Sequence, residues 1–446
     1  MIDKYGKRCI AAATLLALAS TSAPAQAQSA DALINKLLEK GILSTDEAKQ
    51  LKTESNQNFS SAFAAKTGMP AWVKSYKFSG DFRGRFDGIY VSNDNGIDRN
   101  RLRYRLRLGV TLDLLDNFEV GLRFGTGEPV NAFGGSPVSG NQTMSGNASK
   151  KSLWVNAAYA KWTPLNLVDL KGSLALGKME NPFVFPSATV FARDYMPEGM
   201  AAQLSYNIAA KQSLKLNAGG FVLNEVGTSS TDPWLDGAQF RWDAAWNEEI
   251  STSFGVTGLA IAGKSRLANT DVPNVNRGNT RNAAGAPMYN FNPIVGDGAF
   301  TYTLKQFPGY AGKFPISLTG EYLNNPAAPD NNEAYSAGLA FGKAAKKGQW
   351  AISYRWTEIQ ADAWYEELLE CDFGAYYQAP QANSGFTTPA YGTGSNVRGH
   401  IVRADYTPFS CFTLSLTWFN TETIHSSPAG SPAGANRIQV DGMWKF

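Results

Sequence analysis

Polar and apolar positions alternate along most of the chain, with a period of two. In residues 99–114, RNRLRYRLRLGVTLDL, Arg101, Arg103, Arg105 and Arg107 take every second position, and Leu102, Tyr104, Leu106 and Leu108 fill the gaps. On an α-helix successive arginines would turn by about 200° and leave no apolar face. On a β-strand all four share one face and the apolar residues the other. Val110, Leu112 and Leu114 extend the pattern beyond the roughly five or six residues of an ordinary globular strand. Over 74–91, Phe78, Phe82, Phe86 and Tyr90 alternate with Asp81, Arg83, Arg85 and Asp87. Over 117–126, Phe118, Val120, Leu122 and Phe124 alternate with Glu119 and Arg123. Similar segments follow at 152–163, 172–180, 199–208, 214–225, 234–246, 251–262, 299–307, 314–325, 332–343, 349–360, 396–407, 412–423 and 437–446, so about sixteen strands are expected.

The joints between these segments fall into two kinds. Asp116–Asn117, the segment around Asn247–Glu249, Lys343–Gly348 and Thr407–Ser410 are short. Residues 127–151, 181–198, 263–298, 361–395 and 424–436 are long and rich in Gly, Asn, Ser and Pro. Short and long joints mostly alternate. A soluble sandwich has no reason to sort its loops this way, whereas an outer-membrane barrel has short turns on one side and long loops on the other. Backbone groups in a bilayer must be paired, so strands there close on themselves. An arginine facing lipid costs roughly 2–4 kcal/mol at mid-depth. The expected fold is therefore all-β, an antiparallel transmembrane barrel with Arg83, Arg85, Arg101, Arg103, Arg105, Arg107, Glu119 and Arg123 lining its lumen. Trp72, Trp162, Tyr406 and Trp444, near strand ends, suit the interfacial aromatic girdles.

The first seventy residues differ. Lys4, Lys7 and Arg8 precede an apolar run from Ile10 to Ala19, and Ala25-Gln26-Ala27 reads as a cleavage site, so residues 1–27 are expected to be a signal peptide. Cys9 lies before the apolar core, unlike a lipoprotein cysteine. Leu33, Ile34, Leu37 and Leu38 follow helical spacing up to Gly41, and Ser44-Thr45-Asp46-Glu47 opens a second short helix with a capping box. Residues 28–70 are expected to be a periplasmic helical segment and linker, either a plain spacer or an anchoring or oligomerising element, and 71–446 the barrel.

Composition narrows the function. The chain has 446 residues, 18% of them charged, and a formal charge of +3, too balanced for a nucleic-acid binder. No stretch approaches the roughly eighteen apolar residues of a membrane helix. The two late histidines, His400 and His425, have no clustered ligands or nucleophile motif around them, so no catalytic residues, metal or cofactor are expected. Cys371 and Cys411 fall near opposite ends of the strand map and are expected to stay unbridged.

Residues 176–206, LGKMENPFVFPSATVFARDYMPEGMAAQLSY, carry Gly177-Lys178, Asn181-Pro182-Phe183, Asp194 and Pro197-Glu198-Gly199. This arrangement resembles the "putative porin" family of Gram-negative outer membranes. The likeness extends to the helical segment 31–52 and to a terminal strand, RIQVDGMWKF, ending in Phe446. It implies a sixteen-stranded channel for passive diffusion of small hydrophilic solutes and ions, a homotrimer, contact with outer-membrane lipid and lipopolysaccharide, and recognition of the last strand by the barrel-assembly machinery. It also implies that loop 181–198, the third outer loop, folds into the lumen and narrows it. Glu180, Arg193, Asp194 and Glu198 are then its constriction residues, and Phe183, Phe185, Phe191 and Tyr195 pack it against the wall. The inward arginines suggest a modest anion preference, although pairing with loop carboxylates that stiffens the constriction is an equally open role. Two other classes compete: a structural barrel with an occluded lumen anchored to the cell wall, and an outer-membrane β-barrel enzyme.

Overall fold

The computed structural model describes residues 33–40, 42–44, 46–55, 68–92, 98–129, 134–267, 278–377, 391–392, 394–425 and 434–446. The expected signal peptide, Gly41 and Thr45 lie outside them. Two compact units are present: residues up to Tyr76 with Leu112–Leu115, and Lys77–Thr111 with Asp116–Phe446.

In the first unit, helices run over 33–39 and 46–55. The Ser44 amide donates to the Glu47 carboxylate at 2.8 Å and the Glu47 amide to Ser44 Oγ at 3.2 Å, the reciprocal bonds of a capping box. The Ser44 amide and the Ser44 hydroxyl, which donates to the same carboxylate at 2.7 Å, hold the Glu47 carboxyl below its ordinary pKa. Ile34 and Ala48 are buried, and Lys52 donates to Asn35 at 2.8 Å across the helical pair.

Sixteen long strands follow: β1 (Val73–Val91), β2 (Arg99–Leu114), β3 (Phe118–Thr126), β5 (Leu153–Asn166), β6 (Leu170–Lys178), β7 (Glu198–Ala209), β8 (Gln212–Val222), β9 (Trp234–Ala245), β10 (Ile250–Ala262), β11 (Ile294–Leu304), β12 (Phe314–Asn324), β13 (Glu333–Gly342), β14 (Trp350–Ile359), β17 (Val397–Phe409), β18 (Phe412–Thr423) and β19 (Gly434–Lys445). Among the described residues there are also three two-residue strands, β4 (Gln142–Thr143), β15 (Tyr376–Tyr377) and β16 (Tyr391–Gly392). Consecutive long strands pair, and β1 also pairs antiparallel with β19, from Asp81 opposite Lys445 to Val91 opposite Ala435, which closes the sheet. Closure leaves no edge and satisfies the backbone internally, as a bilayer demands. The short β4 adds to β2 through Arg103 and Tyr104.

All sixteen segments read from the alternation are strands. The one expected at 299–307 sits at Ile294–Leu304 instead. Gly296 and Gly298 occupy its outward positions and blank out the apolar half of the pattern there. At the β2–β3 turn, Asp116 and Asn117 take φ of 57° and 62°, the left-handed pair that lets a tight hairpin match strand twist. On β2 and β3, Leu102, Leu108, Phe118, Val120 and Leu122 are exposed and Leu106 is half-buried, while Arg103 and Arg105 are buried on the opposite face; Leu216 and Phe240 are likewise exposed and Arg241 buried on β8 and β9. Trp72, Trp162, Tyr406 and Trp444 are exposed, Trp162 stacking on Phe118 at 5.7 Å.

The principal apolar cluster lies inside the barrel. Val190, Phe191 and Tyr195 of loop 179–197, Leu267 and Phe291 of loop 263–293, and Trp364, Tyr365, Leu368 and Phe373 of loop 360–396 pack with inward residues near the loop-side strand ends, including Phe221, Leu235, Val295, Leu323, Ile359 and Val397.

Candidate functional site

The arginine row on β2 is an ion-pair ladder. Arg105 donates to Asp81 on β1 at 2.9 Å and to Asp194 of loop 179–197 at 3.0 Å. Arg107 meets the same two carboxylates at 2.7 and 3.4 Å. Arg101 reaches Asp87 at 2.7 Å, and Arg103 lies 3.6 Å from both Asp87 and Glu128. Closure of the barrel brings β19 alongside β1. Arg85 makes a bidentate contact with Asp441 through two 2.7 Å bonds, and Arg437 makes one with Asp87 at 2.7 and 2.9 Å. Both arginines then share Asp372 of loop 360–396, at 2.7 and 2.8 Å. Arg83 bonds Asn141 at 2.5 Å and sits 4.0 Å from Asp441. Seven guanidiniums (Arg83, Arg85, Arg101, Arg103, Arg105, Arg107 and Arg437) thus meet six carboxylates (Asp81, Asp87, Glu128, Asp194, Asp372 and Asp441), leaving one net charge.

Two loops are seated on this ladder. Loop 179–197 folds inward. Its neck is the motif itself: Lys178 pairs with Glu198 at 2.7 Å, and the Met179 amide donates to the Pro197 carbonyl at 3.0 Å. Gly177 and Gly199 face one another with φ of 116° and 156°, and a Cβ on either would fall 2.4 or 2.2 Å from a neighbouring carbonyl oxygen. Beyond the neck, Gln239 on β9 exchanges two 2.9 Å bonds with the Val184 backbone, Ser187 donates to Glu321 on β12, and the Pro186 carbonyl accepts from Arg355 on β14 at 3.3 Å. Phe183 packs edge-on against Phe221 at 6.2 Å, and Phe191 stacks on Tyr195 at 5.6 Å.

The described residues of the segment that follows β14, 360–377 and 394–396, also fold inward, which pattern reading did not single out. The Ala192 amide donates to the Leu368 carbonyl at 2.8 Å, and Phe191 meets Trp364 edge-on at 6.0 Å, so the two loops bind one another. Loop 263–293 braces it through Arg281, which donates to Glu366 at 2.5 Å, and through Asn279, which donates to the Ala361 and Trp364 carbonyls at 2.6 and 2.9 Å. The run WYEELLECDF carries the same signature as the third loop, apolar and aromatic residues mixed with carboxylates. A loop with that composition cannot sit comfortably in water.

Electrostatics follow this seating. Burial works to raise the Asp194 carboxyl, but Arg105, Arg107 and Arg83 outweigh it and hold it below the ordinary range. Asp372 is likewise pushed up by burial and pulled well down by Arg437 and Arg85. For Glu370 the balance is reversed: burial, then the charges of Asp372 and Asp194, raise it to about 7 against the weaker pull of Arg193. Glu370, Cys371 and Asp372 bring potential metal-ligand atoms within 4.8 Å of one another, but the Asp372 oxygens are engaged by arginines.

Of the residues singled out in the sequence, the structure gathers Arg83, Arg85, Arg101, Arg103, Arg105, Arg107 and Asp194 into one network. Glu119, Arg123 and Glu180 stand apart on the neighbouring wall: Arg123 donates to Asn156 and Glu180 at 2.6 Å each, and Glu119 accepts from Tyr159 at 2.8 Å. Glu198 serves the loop neck. Arg193 is exposed, with no hydrogen bond or ion pair among the described residues. Arg437 and Asp441 were missed because their partners on β1 lie 350 and 356 residues away in the chain, and Asp372 because its partner Arg85 lies 287 away. Cys371 and Cys411 are not bridged to one another, and the Cys371 thiol donates to the Val138 carbonyl at 3.5 Å. His400 bonds Tyr354 at 2.9 Å and His425 bonds Asn331 at 2.8 Å.

A closed sixteen-stranded barrel, apolar outside and charged inside with two loops folded inward, has the architecture of an outer-membrane β-barrel. Residues 93–261, less than half of the chain, match the family described as "Putative porin", which bears out the resemblance carried by 176–206. Pseudomonas putida OprB, in its high-pH structure, is 13% identical with a TM-score of 0.52, over 86% of this chain and 97% of that one. The outer membrane channel DcaP of Acinetobacter baumannii is 14% identical with a TM-score of 0.43, over 83% and 97%. Salmonella typhi OmpF in complex with daunomycin is 9% identical with a TM-score of 0.47, over 83% and 97%. The OprB likeness supports the fold. No curated protein matches the chain. The family likeness and the fold point to a Gram-negative outer membrane and to a channel.

Proposed function

We propose that the chain forms a water-filled channel through which small hydrophilic solutes and ions diffuse passively, and that loops 179–197 and 360–396 together form its constriction. The observation that carries this reading is the ladder: buried arginines and carboxylates on β1, β2 and β19 bind both loops at the inner wall. The ladder residues serve chiefly to hold the loops, since their charges are nearly balanced. Arg123, Glu119 and Glu180, on the adjacent wall, are the pore-lining groups with more access to solvent. Export by a cleaved peptide at 1–27, a periplasmic place for the helical segment 28–70, assembly through the strand ending in Phe446, contact with lipopolysaccharide and a homotrimeric state complete the proposal. Any anion preference is modest. The apolar cluster between the infolded loops favours one competing reading, a structural barrel with an occluded lumen. Swelling of liposomes carrying the purified protein separates the two. Entry of glycerol and small sugars, slowing as sugar size increases, supports a channel; no swelling with folded barrel present supports occlusion.

A further inference from the structure

The short-turn end of the barrel carries a structure that diffusion through the lumen does not require. The turns after β7, β9 and β17 span only 210–211, 246–249 and 410–411, whereas those after β11 and β13 run over 305–313 and 343–349. These two longer turns are bonded into one piece. Tyr310 Oη donates to the Lys343 carbonyl at 2.8 Å and accepts from the Lys343 amide at 3.1 Å. Gln349 Nε2 donates to the Ala311 carbonyl at 2.8 Å, and Gln349 Oε1 accepts from the Lys346 amide at 3.0 Å. Trp350 Nε1 donates to the Gly309 carbonyl at 3.0 Å.

The piece lies against the outside of the wall. Phe314 shares the strand parity of the exposed Leu318 and Tyr322 on β12, and Trp350 that of the exposed Ile352 and Tyr354 on β14, so both rings point outward. Phe314 is nonetheless only 1% exposed, because Phe307 stacks on it at 4.1 Å while Tyr310 and Trp350 close over it at 4.9 and 5.3 Å. An aromatic knot on the outer wall at a strand end belongs at the membrane–water interface. Lys305, Lys313, Lys343, Lys346 and Lys347 surround it on the two turns, and all five are exposed. Lys305 and Lys313 meet Glu249 and Glu248 at 3.5 and 3.2 Å. The other three have no carboxylate within 4.0 Å among the described residues. Five lysines against two glutamates leave three positive charges on a base already fixed by hydrogen bonds and ring packing, so binding an anion there costs little ordering of the backbone.

We propose that turns 305–313 and 343–349 form a docking surface for anionic phospholipid of the periplasmic leaflet. Lys343, Lys346 and Lys347 hold the headgroup phosphates, and the exposed side of Phe307 lies among the first acyl carbons. Charge and place together select this partner. Ammonium groups beside outward aromatics, at the rim of a lipid-facing wall, match a surface that is anionic at the headgroup and apolar just beneath it. An acidic soluble partner has no use for the outward knot. The inference rests on a barrel that stands with its short turns in the periplasm, and not on whether its lumen conducts.

The test titrates the full-length protein, in a neutral detergent, with phosphatidylglycerol or phosphatidylcholine and counts bound lipid by native mass spectrometry. A lysine beside an anionic headgroup changes affinity about fivefold. The wild type should therefore reach half-occupancy with phosphatidylglycerol at a concentration at least about tenfold below that for phosphatidylcholine. The combined change Lys343→Gln, Lys346→Gln and Lys347→Gln should abolish this preference. Its side chains are exposed, and heat-resistant migration of the variant shows that the barrel is folded. The same loss of three charges on the helical segment, Lys36→Gln, Lys40→Gln and Lys49→Gln, should leave the preference intact. Equal half-occupancy for the two lipids in the wild type, a preference that survives in the turn variant, or an equal loss in the helical-segment variant overturns the proposal. Co-sedimentation with purified peptidoglycan that is lost in the turn variant, without any lipid preference, assigns the turns to the cell wall and overturns it too. All of these outcomes leave the channel reading untouched, since conduction is not measured.

Discussion

Asp372→Asn tests the seating of loop 360–396 most selectively. The wild-type carboxylate accepts from Arg85 at 2.7 Å and from Arg437 at 2.8 Å. Each such charge-assisted bond contributes about 1.5–3 kcal/mol. An amide keeps one acceptor oxygen but turns an NH2 toward the other guanidinium, so one bond is lost and the other weakened. No arginine is orphaned, because Arg85 keeps Asp441 and Arg437 keeps Asp87. The larger cost of about 3–5 kcal/mol for stranding a buried charge therefore does not apply. The expected loss is about 2–3 kcal/mol, a shift of roughly thirty- to 150-fold toward the unseated loop. Unseating should be local. Trp364, Tyr365 and Leu368 remain buried against the third loop and the wall, each holding the loop by about 1.5–3 kcal/mol. Single-channel recordings should therefore show frequent excursions to a second conductance level, and protease should cut near residues 370–376 of the folded variant. The barrel should keep its thermal stability. Unchanged current fluctuations together with unchanged protease resistance would refute the role assigned to Asp372.

Three further outcomes are expected. Phe240→Arg, on the exposed outer face of β9, should destabilise the inserted barrel by roughly 2–4 kcal/mol in a refolding titration, and a neutral result would mean this face does not meet lipid. Cysteine at Lys215 should react with a pore-permeant, membrane-impermeant thiol reagent while cysteine at Leu216 is spared; the opposite pattern would invert the strand register. Glu370 carries a raised carboxyl, so the folded state holds its proton more tightly than the unfolded chain does. Seating of loop 360–396 should then weaken as pH rises from about 4.5 to about 7, seen as growing current noise. Glu370→Gln should flatten that slope, and an unchanged slope would assign it to another group.

The fold was legible because a membrane barrel writes itself into the chain at short range. Side-chain alternation and loop sorting are local, so Arg101 to Arg107 could be placed on one face without knowing any partner. Their offset by Asp81 and Asp87 was visible for the same reason. What those arginines bind was harder to read. Asp194 lay within a motif, but Asp372 lies in a long loop with no period, and Arg437 and Asp441 meet β1 only through barrel closure. The strand at Ile294–Leu304 was displaced where glycines silence the outward positions. Loop 360–396 announces itself by its buried type of composition, Trp364 and Tyr365 beside Leu368 and Leu369, a cue that becomes decisive once the strands around it are placed.

The most direct test of the central claim is the conductance of the native protein in a planar bilayer. The account predicts discrete, ohmic current steps as single proteins or assemblies insert, with a size that reflects a constricted rather than an unobstructed barrel. A folded, heat-resistant barrel that inserts yet carries no current would contradict it and assign the infolded loops to a plug.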